Sequence, residues 1–63
     1  MNVFEAKQLA VKCYGDCKTK PDGPVYIAAT NNDAVIVNKD FSEEGCYLFK
    51  LETIDGEVQC ELA

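Results

Sequence analysis

Residues 47–62 read YLFKLETIDGEVQCEL, and the dipeptide Asp55-Gly56 inside them decides how they fold. Asp-Gly between two alternating apolar and polar runs is a strong short-range signal for a β-hairpin, because a type I′ turn needs positive φ at both central residues. A two-residue loop centred there pairs Thr53 with Val58, Leu51 with Cys60 and Phe49 with Leu62, and these residues form one apolar face with Tyr47. The other face then sets Glu52 across from Gln59 and Lys50 across from Glu61, an opposite-charge pair that favours the same alignment. A slip of one residue would turn every apolar side chain to the wrong face, so the two patterns fix one register.

Upstream, Val25–Thr30 (VYIAAT) and Ala34–Val37 (AVIV) are rich in β-branched residues, and Asn31-Asn32-Asp33 between them suits a tight turn. This reads as a second hairpin. A rival reading starts a helix near residues 32–42, with Ala34, Val37 and Phe41 on one face, but Val35-Ile36-Val37 disfavours it. Asp16–Pro24 is a loop, since two prolines and Asp22-Gly23 fall within it. At the start of the chain, Asn2 and Glu5 have capping-box spacing ahead of good helix formers. The expected helix runs from about Val3 to Tyr14, with Val3, Ala6, Ala10 and Cys13 on one face, Leu9 beside them, and Gly15 as a left-handed terminator. The expected fold is therefore α+β: one N-terminal helix packed on a four-stranded antiparallel sheet made of two hairpins (αββββ), with ββαββ as the alternative.

The chain has 63 residues, room for a single small domain spanning 1–63, and a formal charge of −5. A core of this size rarely supplies more than about 3–5 kcal/mol unaided, so disulfide, metal and subunit contributions all have to be weighed. The charge is uneven: residues 1–32 hold four Lys against three acids, and residues 33–63 hold two Lys against eight acids. The chain lacks Arg and His, which argues against direct nucleic-acid binding, where clustered basic side chains neutralise phosphates. No apolar run approaches a membrane span, and Glu5 and Lys7 interrupt any secretory leader, so a cytoplasmic location is expected.

In that compartment thiols are normally reduced. Cys13 and Cys17 are the only close pair, and their spacing, with Cys46 and Cys60 far downstream, is a weak match to a zinc knuckle. The register puts Cys60 on the apolar face and Cys46 on the other parity, which disfavours a 46–60 disulfide. Cys13 and Cys60 read best as small core residues. No metal ligand set and no cofactor are assigned.

Catalysis is not expected either. Without histidine there is no Ser-His or Cys-His pair, the four glycines stand singly in turns, and with eleven acids carboxylate pairs such as Glu43-Glu44 arise by chance. What remains is a surface. On the first hairpin both sides are apolar, with Tyr26, Ala28, Val35 and Val37 on the side away from Val25, Ile27, Ala29, Ala34 and Ile36. That strip, rimmed by Asp40, Glu43, Glu44, Glu52 and Glu61, has the greasy centre and charged rim of an interface.

The expected function is a small acidic non-enzymatic protein–protein interaction module, an inhibitor or adaptor. Its expected partner has a basic, nucleic-acid-handling surface, and a homodimer would satisfy the same pattern. In size and charge the chain resembles short acidic inhibitors of phages and mobile elements. The alternative is a small structural domain stabilised by zinc or disulfides.

Overall fold

Asn2 starts the helix in the way its spacing suggests. Its Oδ1 accepts from the Glu5 backbone N–H at 2.9 Å, and Glu5 Oε1 accepts from the Asn2 N–H at 3.2 Å, a reciprocal capping box. From there the chain winds through α1, Val3–Gly15. The structure is a computed structural model that describes residues 1–18 and 22–63. Residues 19–21, inside the expected loop Asp16–Pro24, lie outside the described residues. Gly15 is still helical and does not adopt positive φ, contrary to expectation. The cap is Asp16 at φ −79°, whose N–H bonds back to the Lys12 carbonyl at 3.0 Å. That closure uses ordinary right-handed geometry, so glycine is not needed there.

Four strands follow: β1 (Val25–Ala29), β2 (Ala34–Val37), β3 (Tyr47–Ile54) and β4 (Glu57–Leu62). The expected αββββ order is what forms, and residues 34–37 are a strand rather than part of the rival helix. In the β3–β4 hairpin Asp55 and Gly56 have φ of 52° and 82°, the two left-handed residues of a type I′ turn. Its register pairs Phe49 with Leu62, Lys50 with Glu61, Leu51 with Cys60 and Thr53 with Val58, as the alternation predicts. The β1–β2 hairpin also has the expected pairing, Tyr26 with Val37 through Ala29 with Ala34. Its turn is held by a side chain the sequence reading passed over: the Thr30 hydroxyl accepts from the Asp33 N–H at 3.3 Å, and the Thr30 N–H donates to the Asp33 carbonyl at 2.8 Å.

The two hairpins join through β1 and β3, which pair antiparallel from Val25–Leu51 to Ala29–Tyr47, giving the sheet order β2-β1-β3-β4. β2 and β3 therefore run parallel on either side of β1, and residues 38–46 must travel back along the length of β1 to connect them. β2 and β4 are both edges of an open sheet.

α1 lies over β1, β2 and β3. Its contact seam is Ala6, Ala10 and Tyr14, set against Val25, Ile27, Ala29, Phe49 and Leu51, all buried. The two alanines let the helix backbone approach the sheet closely, and Tyr14 fills the end of the seam and hydrogen-bonds Thr53 Oγ1 across 3.0 Å. Spacings of four from Ala6 select this face. Val3, expected on it, is 44 % exposed.

Since Ala10 is fully buried in the seam and Phe4 is 65 % exposed, the two positions should respond differently. Ala10→Leu should destabilise the fold by about 1–3 kcal/mol through overpacking. Phe4→Ser should leave stability within about 0.5 kcal/mol. Urea unfolding followed by circular dichroism measures both, and equal losses would mean that the helix packs on a different face.

Candidate functional site

Strand parity gives the sheet two faces. Toward α1 point Val25, Ile27, Ala29, Ala34, Ile36, Tyr47, Phe49, Leu51, Thr53, Val58, Cys60 and Leu62; away from it point Tyr26, Ala28, Val35, Val37, Leu48, Lys50, Glu52, Gln59 and Glu61. The residues expected to form an apolar strip are thus brought together, with Ala28 between Val35 and Leu48, and Tyr26 between Val37 and Lys50. The strip is less open than the sequence suggests. Ala28 is 1 % exposed and cannot contact a partner, Tyr26 and Val37 are half-buried, and only Val35, at 50 %, is open. Ala28 is small and lies between strands on both sides, so its neighbours shield it.

The expected acidic rim divides into two groups. Glu52 and Glu61 flank Lys50 on the face away from α1, with Lys50 Nζ at 4.0 Å and 3.9 Å from their carboxylates. One lysine between two acids leaves negative charge in excess, and Glu57, exposed on the same face of β4, adds to it. Asp40, Glu43 and Glu44 are exposed on the connection between β2 and β3.

A second apolar surface lies on the helix side, where the sequence reading expected burial. α1 covers three strands and β4 stands beyond them, so the α1-facing residues Val58 and Leu62 are 47 % and 55 % exposed. The first turns of α1 leave Val3 and Phe4 open as well. A groove between the two elements is lined by Val3, Phe4, Lys7, Phe49, Cys60, Glu61 and Leu62. Sequence periodicity assigns Val58 and Leu62 to the core face correctly but does not say how many strands one helix can cover. A helix is about 10–12 Å across with its side chains, and strands lie about 4.8 Å apart, so four strands exceed its width.

The thiols stand as four free cysteines. Cys17 Sγ donates to the Cys13 carbonyl at 3.4 Å and Cys46 Sγ to the Glu43 carbonyl at 3.2 Å, while Cys13 and Cys60 pack against the core, half-buried. Among the described residues no cluster of three or more His, Cys, Asp or Glu side chains could hold a metal ion. Burial raises the pKa of Cys13, and the nearby Cys17, Asp16 and Asp33 raise it further. Burial also raises that of Cys60, with Lys7 opposing and Glu61 adding. Among the described residues no helix is long and apolar enough to cross a membrane.

No family model matches the chain, and no curated protein or solved structure is significantly similar to it.

The raised thiol pKa values have a chemical consequence. Because the thiolate is the nucleophile, Cys13 and Cys60 should alkylate with iodoacetamide at about pH 8 several-fold more slowly than a free cysteine peptide. The unfolded chain loses these protons first, so their contribution to stability is complete below the ordinary thiol pKa and is lost as pH rises through the folded values. Peptide-resolved mass spectrometry reads the rates, and alkylation as fast as the free peptide would contradict the burial of these two side chains.

Proposed function

We propose that this protein is a small acidic, non-enzymatic protein–protein interaction module that docks on a basic surface of a larger protein, as an inhibitor or adaptor does. The observation that carries the reading is the surface at the α1–β4 groove. Val3, Phe4 and Leu62 are 44–65 % exposed around this groove, Val58 lies further along the same face of β4 at 47 %, and the acids Glu57 and Glu61 alternate with Val58 and Leu62 on the same edge strand. Apolar side chains left in water beside fixed charge are the arrangement of a binding surface, in which desolvation contributes affinity and charge selects the partner. The net charge of −5 speeds encounters with basic proteins and opposes binding to nucleic acid itself.

A homodimer is the second reading, and the observation that favours it is β2. This edge strand carries no charged residue, and Val35 and Ile36 on its two faces are 50 % and 56 % exposed. Unguarded edges of this kind pair with one another.

Affinity capture on the immobilised protein, compared with Phe4→Asp and Leu62→Asp, tests the module directly. Both positions are exposed, so circular dichroism should be unchanged. The wild type should retain a basic protein whose capture falls with added salt, and each variant should lose most of it. Retention of the same protein by both variants would contradict the assignment of the groove. Sedimentation equilibrium on the wild type and Ile36→Lys distinguishes the second reading: association that the lysine abolishes would assign self-pairing to β2.

A further inference from the structure

The backbone of β4 narrows the partner further. The Ala63 N–H donates to the Leu48 carbonyl at 2.9 Å, so 48 and 63 are a hydrogen-bonded pair of the β3–β4 ladder. Antiparallel pairs alternate between hydrogen-bonded and open. Lys50–Glu61 and Glu52–Gln59 therefore bond across the ladder, and the N–H and C=O groups of Val58, Cys60 and Leu62 point away from β3, off the edge of the sheet. These three residues are also the ones whose side chains face the α1 groove. A strand laid beside β4 would meet three free donors and three free acceptors.

The two faces such a strand would experience differ in chemistry. On the α1 side it meets the exposed Val58 and Leu62 and, around Leu62, a groove with Val3 and Phe4 whose lining includes both Lys7 and Glu61. On the opposite side it meets Glu57, Gln59 and Glu61. Side chains alternate along a strand, so the complementary sequence alternates apolar with basic residues. A second copy of β4 is a poorer fit. An antiparallel pairing centred on Gln59 sets Glu57 against Glu61 of the other copy twice, and one centred on Cys60 leaves the acids of the two copies as diagonal neighbours with no cation to offset them, whereas a basic strand places opposite charges there.

We propose that β4 accepts a fifth strand: an extended segment of the partner protein in which Lys or Arg alternates with apolar residues. Main-chain bonds to Val58, Cys60 and Leu62 hold it, and the acidic face of β4 selects it. The proposal rests on the module reading above and specifies how its partner is recognised.

The test uses the full chain, isotope-labelled, titrated to millimolar concentration with the capped heptapeptide KVKVKVK, while amide shifts and hydrogen exchange are followed. The expected result is saturable binding with exchange at Val58, Cys60 and Leu62 slowed at least tenfold and exchange in β2 unchanged. The peptides EVEVEVE and KVKPKVK should do neither, the first by charge and the second by loss of the ladder. Glu57→Lys/Glu61→Lys should weaken KVKVKVK by about fivefold, the scale of two exposed ion pairs.

Val58→Pro removes an N–H that faces away from β3, a place where an edge strand tolerates proline. It should leave the β3–β4 ladder intact and abolish the protection. No saturable binding of KVKVKVK, protection along β2 instead, or equal binding of KVKPKVK would overturn the proposal. A basic protein captured through Phe4 and Leu62 without protection of the three amides would sink strand addition alone, whereas capture insensitive to Phe4 and Leu62 would sink the module reading whatever the peptide does.

Discussion

The structure depends on one contact, the close seating of Ala6, Ala10 and Tyr14 on Val25, Ile27, Ala29, Phe49 and Leu51. A chain of this length has one helix with which to seal one sheet, and the small residues in the seam let the helix descend onto the central strands. That proximity completes the core. It also fixes what the helix cannot reach, because an element one helix wide, seated on β1 with β2 and β3 beside it, leaves β4 outside and Ile36 of the β2 edge exposed. The exposed apolar surface is a consequence of the same packing that holds the fold together.

The two edges manage their exposure differently. β4 carries Glu57 and Glu61 on the face away from the helix, charges that oppose pairing with its own kind. The same acids discriminate among other strands, so the feature that keeps β4 from self-association also selects a basic partner. β2 has no such guard, and its openness on both faces is the natural origin of any self-association. A short sheet with one charged and one uncharged edge thus has room for two distinct contacts, each with its own chemistry.

Much of the architecture was legible in the residues. Asp55-Gly56 with the alternation around it gave every pair of the last hairpin, and Asn2 with Glu5 gave the helix start, because these are local rules with a period or a spacing behind them. The pairing of β1 with β3 was not legible, since nothing local says which strands of two hairpins become neighbours. That single long-range choice decides which strands the helix can cover. It explains why Val58 and Leu62 sit on the correct face and are still exposed, and why Ala28, expected on an open strip, is sealed between neighbours. Gly15 fails for another reason: a right-handed cap at Asp16 already satisfies the last turn. Of the expected acidic rim, Glu52 and Glu61 come together around Lys50 on the sheet, and Asp40, Glu43 and Glu44 lie on the connection that a strand-by-strand reading leaves unplaced.

The central claim is that in the free protein α1 covers the inner faces of β1 and β3 but not that of β4. Solvent paramagnetic relaxation of the methyl groups, with a soluble gadolinium chelate, measures this in one experiment. The account predicts strong broadening for Val58 and Leu62 and little for Ile27 and Leu51. Protection of Val58 and Leu62 equal to that of Leu51 would contradict it, since the groove would then be closed and the apolar surface would belong to the core.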